Sequence, residues 1–139
     1  MARARKFHVT STLFPFRDQP KLFPVSSSCV LGSTGCWCDV LTFARLMDAR
    51  VKIYSNTHGK MMGTGATAQM VATMLYSKRF FPYYISNILA GLDEDGKGVV
   101  YSYDPVGHVE KHTYRAGGSS VALLQPLMDN QVSTNRGPM

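Results

Sequence analysis

Few residues in this sequence stand at spacings that chemistry demands. Cys36-Trp37-Cys38 places two thiols two positions apart, with Cys29 nearby. A structural zinc takes four ligands, usually with C-x2-4-C spacing. Here the fourth could come only from a distant histidine, so the reading is buried structural cysteines and no metal. His108, Glu110 and His112 fall at i, i+2 and i+4. On a strand they project from one face. They could hold a metal, but beside Lys111 they read as an exposed polar strand face. Gly63-Thr64-Gly65 follows Lys60, whereas a phosphate-cradling loop carries its lysine after the glycines. It is read as a turn, with no nucleotide cofactor. No G-x-S-x-G elbow occurs, and no spacing joins a serine, a histidine and an aspartate.

Tyr76 to Tyr84 interleaves Lys78 and Arg79 with five aromatic side chains: Tyr76, Phe80, Phe81, Tyr83 and Tyr84. Single-stranded nucleic acid is stacked by such mixtures. Subunit interfaces are also rich in Tyr, Phe and Arg. The reading preferred here is plainer: a helix end whose bases meet the C-terminal dipole, followed by a core strand. From the residues alone no active site is defined.

The elements that would position these residues follow from apolar periodicity. A short buried strand is expected at about 29–33, ending in a glycine turn. Asp39 is expected to cap a helix through Val40, Phe43, Ala44, Met47, Val51 and Tyr54, which recur at three- and four-residue spacing. A polar loop over 55–63 leads to a second helix, capped by Thr64 or Thr67 and running to about Arg79 before Pro82 stops it. The period then changes to that of strands at 83–90, 99–103 and 109–114, separated by turns at Asp93-Glu94-Asp95-Gly96 and Asp104-Pro105-Val106-Gly107. A last helix over 120–130 is interrupted by Pro126. Elements in runs rather than in alternation favour an α+β fold with an antiparallel sheet.

Length, composition and charge set the bounds. The chain has 139 residues, 45% of them hydrophobic and 17% charged, enough for one domain with a core. No run approaches the ~18 apolar residues that span a bilayer, so no membrane partner is expected. The net charge of +6 points toward nucleic acid, but +4 of it lies in residues 1–21, with Arg3, Arg5, Lys6, Arg17 and Lys21 against Asp18 alone. Such a block reads as a solvated arm, and no nucleic-acid partner is expected. The arm faintly resembles a mitochondrial presequence, yet Pro15 and Pro20 interrupt it and no apolar signal region is present. Three cysteines make no disulfide framework, which favours a reducing compartment, the cytoplasm or nucleus.

The stretch from Lys78 to Val132 carries a longer signal. It reads Lys78-Arg79-Phe80-Phe81-Pro82-Tyr83-Tyr84, then Gly91-Leu92-Asp93-Glu94-Asp95-Gly96-Lys97-Gly98, then Tyr101-Ser102-Tyr103-Asp104-Pro105-Val106-Gly107, then Ala116-Gly117-Gly118-Ser119, and Leu124-Gln125-Pro126-Leu127-Met128-Asp129-Asn130-Gln131-Val132. This resembles the beta-ring subunits of the eukaryotic proteasome core particle, the sixth and non-catalytic type in particular. The resemblance runs from about Arg17 to Val132 and is weakest over Leu22 to Cys38. It divides the chain into an unmatched basic arm (1–16), a partial beta-subunit domain (17–132) and a frayed tail (133–139).

The resemblance implies an N-terminal-nucleophile hydrolase fold, a four-layer sandwich of two antiparallel sheets between helix layers, here incomplete. In active members a threonine hydroxyl attacks the peptide carbonyl, assisted by its own amine, a lysine and an aspartate, with a glycine N–H as oxyanion donor. Lys21 falls at the family lysine and Gly35 at the oxyanion glycine, both as vestiges. Gly118 occupies the position of an assisting serine. The nucleophilic threonine and its aspartate are expected ahead of Arg17, and Thr10 and Thr12 do not substitute for them. The implied role is a truncated, non-catalytic structural subunit with no cofactor. Its partners would be other beta and alpha subunits of a hetero-oligomeric ring particle that degrades ubiquitin-tagged proteins.

Overall fold

The computed structural model describes residues 19–134. The expected 1–16 arm, Thr10 and Thr12, and the end of the 133–139 tail lie outside the described residues. The element order is β1 (Leu22–Pro24), β2 (Cys29–Gly35), α1 (Trp37–His58), α2 (Thr64–Tyr76), β3 (Ile85–Leu92), β4 (Gly98–Tyr103), β5 (Val109–His112) and α3 (Val121–Thr134). The strands form one antiparallel sheet in the order β1-β2-β3-β4-β5. α1 and α2 are an excursion between the adjacent strands β2 and β3. The fold is α+β, as expected. Of the four-layer sandwich, the described residues supply one sheet and the helix pair packed on it.

Strand period and helix period meet in one core. Side chains alternate across a strand, so Cys29, Leu31 and Ser33 of β2 and Ile85, Asn87 and Leu89 of β3 share the buried face, in the register Leu31↔Leu89 and Ser33↔Asn87. Val40, Phe43 and Met47 of α1 and Ala68, Val71, Ala72, Met74 and Leu75 of α2 pack on that face. Tyr83 reaches the same cluster and sets its ring edge-on to Phe43, with centroids 5.6 Å apart. The opposite face carries Val30, Gly32, Ile88, Val100, Ser102, Glu110 and His112. It is only partly covered, with the 115–119 segment and the start of α3 beside it.

Several boundaries differ from expectation for local reasons. α1 starts at Trp37 with Cys36 as N-cap, because the Asp39 carboxylate is engaged elsewhere, accepting the Tyr84 N–H at 3.0 Å. It runs through 55–58, expected as loop, and stops where Gly59 takes the left-handed conformation at φ 65° that glycine adopts without strain. α2 begins after Gly63 without a side-chain cap. Thr64 donates its hydroxyl across to the Leu92 carbonyl at 2.6 Å, and Thr67 bonds back to Gly63. α2 ends at Tyr76, short of Arg79, in tightened i→i−3 bonds from Lys78 and Arg79. The strands expected at 83–90 and 109–114 are shifted and shortened to β3 and β5. β1, too short to carry a periodic signal, is additional. α3 continues through Pro126 and past residue 130. Proline removes one N–H but the flanking turns keep their bonds, and Gln125 braces the helix by accepting the Ala116 N–H and donating to Asp129.

Candidate functional site

One end of β2 is where the structure gathers the residues of interest. A cavity of about 210 Å³ is lined by Lys21, Ser33, Thr34, Gly35, Trp37, Val40, Gly118 and Ser119. Lys21, at the foot of β1, is held there because its carbonyl accepts the Ser33 N–H at 3.0 Å. Gly35 ends β2 with φ 127°, a conformation that L side chains rarely adopt. A Cβ there would land on the Tyr84 carbonyl oxygen and lie 2.9 Å from Ile85 Cα. That same carbonyl accepts the Cys36 N–H at 2.9 Å, so the chain turns sharply from strand into helix. Gly118 has φ 98° and would set a Cβ 3.6 Å from Thr34 Cγ2. It belongs to the turn that brings residues 115–119 against β2 and β3.

Lys21, Gly35 and Gly118 are thus neighbours in space although they come from three separate segments. The first turn of α1 abuts the cavity at Trp37, and its amides have no side-chain cap. A lysine ammonium beside a helix N-terminus favours an anion or a polarised carbonyl oxygen. Among the described lining residues Lys21 is the only titratable side chain. The Ser33 hydroxyl, aimed into the buried layer, makes no hydrogen bond to the described protein groups. Among the described residues no lining serine or threonine therefore has a histidine or carboxylate in the cavity to take its proton.

The remaining candidates lie elsewhere. Cys29 is buried, but Cys36 and Cys38 are exposed, contrary to the expectation of buried cysteines, because both stand at the solvent-facing start of α1. His108, just ahead of β5, and Glu110 and His112 within it do come together. Glu110 bridges the two imidazoles at 3.4 and 3.3 Å, and Ser102 meets His112 at 2.9 Å. Among the described residues no group of three or more His, Cys, Asp or Glu could hold a metal ion. No helix among them is long and apolar enough to cross a membrane. Gly63-Thr64-Gly65, expected as a turn, is the start of α2 instead: Gly63 is the N-cap, and Thr64 and Gly65 are in its first turn. A larger groove of about 630 Å³ on the second face of the sheet shares Thr34, Gly35, Gly118 and Ser119 with the cavity and extends to Asn87 and His108. Asn87, buried opposite Ser33, was not singled out by sequence reasoning. Its amide oxygen and nitrogen also lack partners among the described protein groups. An asparagine at an apolar-face position of a strand was the available signal. One titration is clearly displaced: burial, and then the neighbouring Tyr101 and Cys29, push the Tyr103 hydroxyl well above the usual tyrosine range. That hydroxyl donates to the Ala68 carbonyl at 2.8 Å.

A lysine at the foot of β1, a strand-ending glycine and a glycine turn thus converge beside a helix start, on an antiparallel sheet carrying two helices. The family profile described as Proteasome subunit matches residues 5–137, and the chain belongs to that family, whose beta domain has the N-terminal-nucleophile hydrolase fold. Its relatives are beta subunits. It is 57% identical over 116 residues to the Drosophila melanogaster proteasome subunit beta type-1, covering 84% of this chain and 49% of the relative. It is 42% identical to a probable beta type-6 subunit of Schizosaccharomyces pombe, covering 84% of this chain and 52% of that one. It is 40% identical to the beta type-6 subunit of Saccharomyces cerevisiae, covering 91% and 53%. The matching stretch thus bears the number one in the fly and six in the yeasts. The chain spans about half the length of the curated relatives it matches.

Proposed function

We propose that the chain serves as a non-catalytic, structural subunit of the proteasome core's beta ring. It would act in the cytoplasm and nucleus, packing against other beta and alpha subunits of the particle that degrades ubiquitin-tagged proteins. The observation that carries the non-catalytic reading is the backbone at Gly118. Family resemblance puts an assisting serine at this position in active members. Here a φ of 98° suits glycine and strains any residue with a Cβ. Among the described residues the cavity around it offers Lys21 as its only titratable group, with no second base to activate a hydroxyl.

The test is to purify core particles from cells producing the chain and to identify its peptides by mass spectrometry. A covalent probe for catalytic threonines is applied to the same particles. The expected result is the chain present and unlabelled. Label on this chain would restore the reading of an active threonine peptidase. Absence from particles while the chain is present in the lysate would defeat the structural role.

A further inference from the structure

The turn between α2 and β3 exposes aromatic surface that the fold itself does not use. Phe80 is 100% exposed, Phe81 89%, Tyr84 77% and Tyr76 66%, all within nine residues of chain. Of the strand expected from residue 83, Tyr83 packs on the core and Ile85 is buried, but Tyr84 is exposed. Aromatic side chains present ~150–250 Å² each, so the four together offer on the order of 600 Å². That reaches the top of the range for the largest apolar patch on a typical monomer, about 300–600 Å². It also approaches the ~800 Å² that each partner contributes to a stable interface.

The segment is also held in place before any partner arrives. Ser77, Lys78, Arg79 and Phe81 donate their N–H groups to Thr73, Leu75, Tyr76 and Lys78 in succession. At the far end, Tyr84 is pinned through its N–H to Asp39 and through its carbonyl to Cys36. A pre-organised turn loses little entropy on docking. Lys78 and Arg79 are exposed, and neither has an acid within ion-pair distance among the described residues. Two cations are few for nucleic acid, where phosphate-binding proteins commonly neutralise about six to ten charges. They suit the rim of a protein interface around an aromatic centre.

We propose that Tyr76 to Tyr84 is the docking face for another subunit of the core particle, one that presents an apolar pocket for Phe80 and Phe81 rimmed by aspartate or glutamate. This rests on the structural-subunit reading and locates one of its contacts. The test produces the tagged full chain in cells that make the other core subunits. Incorporation into particles is compared for wild type, Phe80→Ser/Phe81→Ser, Lys78→Glu/Arg79→Glu, and Lys97→Glu as a surface-charge control. In parallel, a photo-crosslinking amino acid replaces Phe80, and the captured peptide is sequenced.

At least a tenfold loss of incorporation is expected for the aromatic pair, and several-fold for the charge reversal, with Lys97→Glu unaffected. The crosslink should fall on an acidic-rimmed apolar segment of another core subunit. Wild type incorporated and every variant equally so would overturn the docking face while leaving the structural role intact. Wild type excluded would overturn both. A crosslink only within this chain, or to a second copy, would overturn the choice of partner. So would binding of a single-stranded oligonucleotide that Phe80→Ser/Phe81→Ser abolishes. Circular dichroism of the purified variants guards against misfolding. A double variant that fails to fold is replaced by Phe80→Ser alone, whose fully exposed ring supports no packing in the free chain.

Discussion

Replacing Gly35 with alanine isolates what this backbone demands from what catalysis would demand. Two terms oppose the substitution. A φ of 127° lies outside the regions open to L residues, and holding a side chain there costs about 1–3 kcal/mol. The new Cβ would also meet backbone that cannot step aside: the Tyr84 carbonyl oxygen and Ile85 Cα at 2.9 Å. Relieving that overlap means parting β2 from β3 at their last register pair, Gly35↔Ile85, and disturbing the 2.9 Å bond from Cys36 to Tyr84. Overpacking of this kind typically costs another ~1–3 kcal/mol. The expected loss is about 2–6 kcal/mol, a large share of the ~5–15 kcal/mol that holds an ordinary domain together. Gly59 is the control. It also has positive φ, at 65°, but a Cβ there meets nothing within 4 Å, so Gly59→Ala should cost only about 1–2 kcal/mol. Urea unfolding followed by circular dichroism reads the difference. With m near 1–3 kcal/mol/M, Gly35→Ala should unfold on the order of 1 M earlier than Gly59→Ala. Coincident midpoints would refute the argument that close approach to Tyr84 is what requires glycine at this position.

Three further outcomes follow from the same geometry. Gly118→Ser, which restores the hydroxyl implied for active relatives, should cost about 1–3 kcal/mol through its φ of 98° and yield no labelling by a threonine-directed probe; gain of labelling would contradict the non-catalytic reading. Tyr103 has a folded-state pKa raised above its unfolded value by burial, so the folded state keeps a proton that the unfolded chain loses above the ordinary tyrosine value of about 10. The associated stability is complete below that pH and falls by up to ~1.4 kcal/mol per unit above it. Tyr103→Phe should remove this part of the alkaline slope and cost about 0.5–1.5 kcal/mol at neutral pH through the lost bond to the Ala68 carbonyl, and an unchanged slope would refute the assignment. Ser33→Ala deletes a buried hydroxyl with no partner among the described protein groups and should leave stability unchanged or raise it by up to about 1 kcal/mol; a loss beyond 1 kcal/mol in the same urea assay would show that the hydroxyl is satisfied.

The contrast between legible and hidden features has a physical cause. The stripe Val40, Phe43, Met47, Val51 was readable because burial imposes the helix period on it, and all four are buried. The meander β3-β4-β5 was readable because its turns carry their own chemistry, with Gly96 and Gly107 both at positive φ. What failed was whatever depends on a distant partner. Asp39 has the composition of a helix cap, but its carboxylate serves Tyr84, 45 residues away. Thr64 likewise serves Leu92, 28 residues away. β1 has three residues, too few to express a period, and exists because β2 offers it an edge. The candidate site is the extreme case. Lys21, Gly35 and Gly118 share no local pattern, and residue spacing defined no site there; only family resemblance picked them out.

Their convergence is a product of tertiary pairing. The Lys21 carbonyl takes the Ser33 N–H, Gly35 closes the β2–β3 register, and the Gly117-Gly118 turn lies against Ile88 and Thr34. Two of these three positions are glycines whose φ values disfavour other residues. Glycine at these two positions therefore needs no catalysis to account for it. At Gly35 the close approach to Tyr84 requires glycine whatever the site does, so that residue by itself does not distinguish an active site from an inactive one.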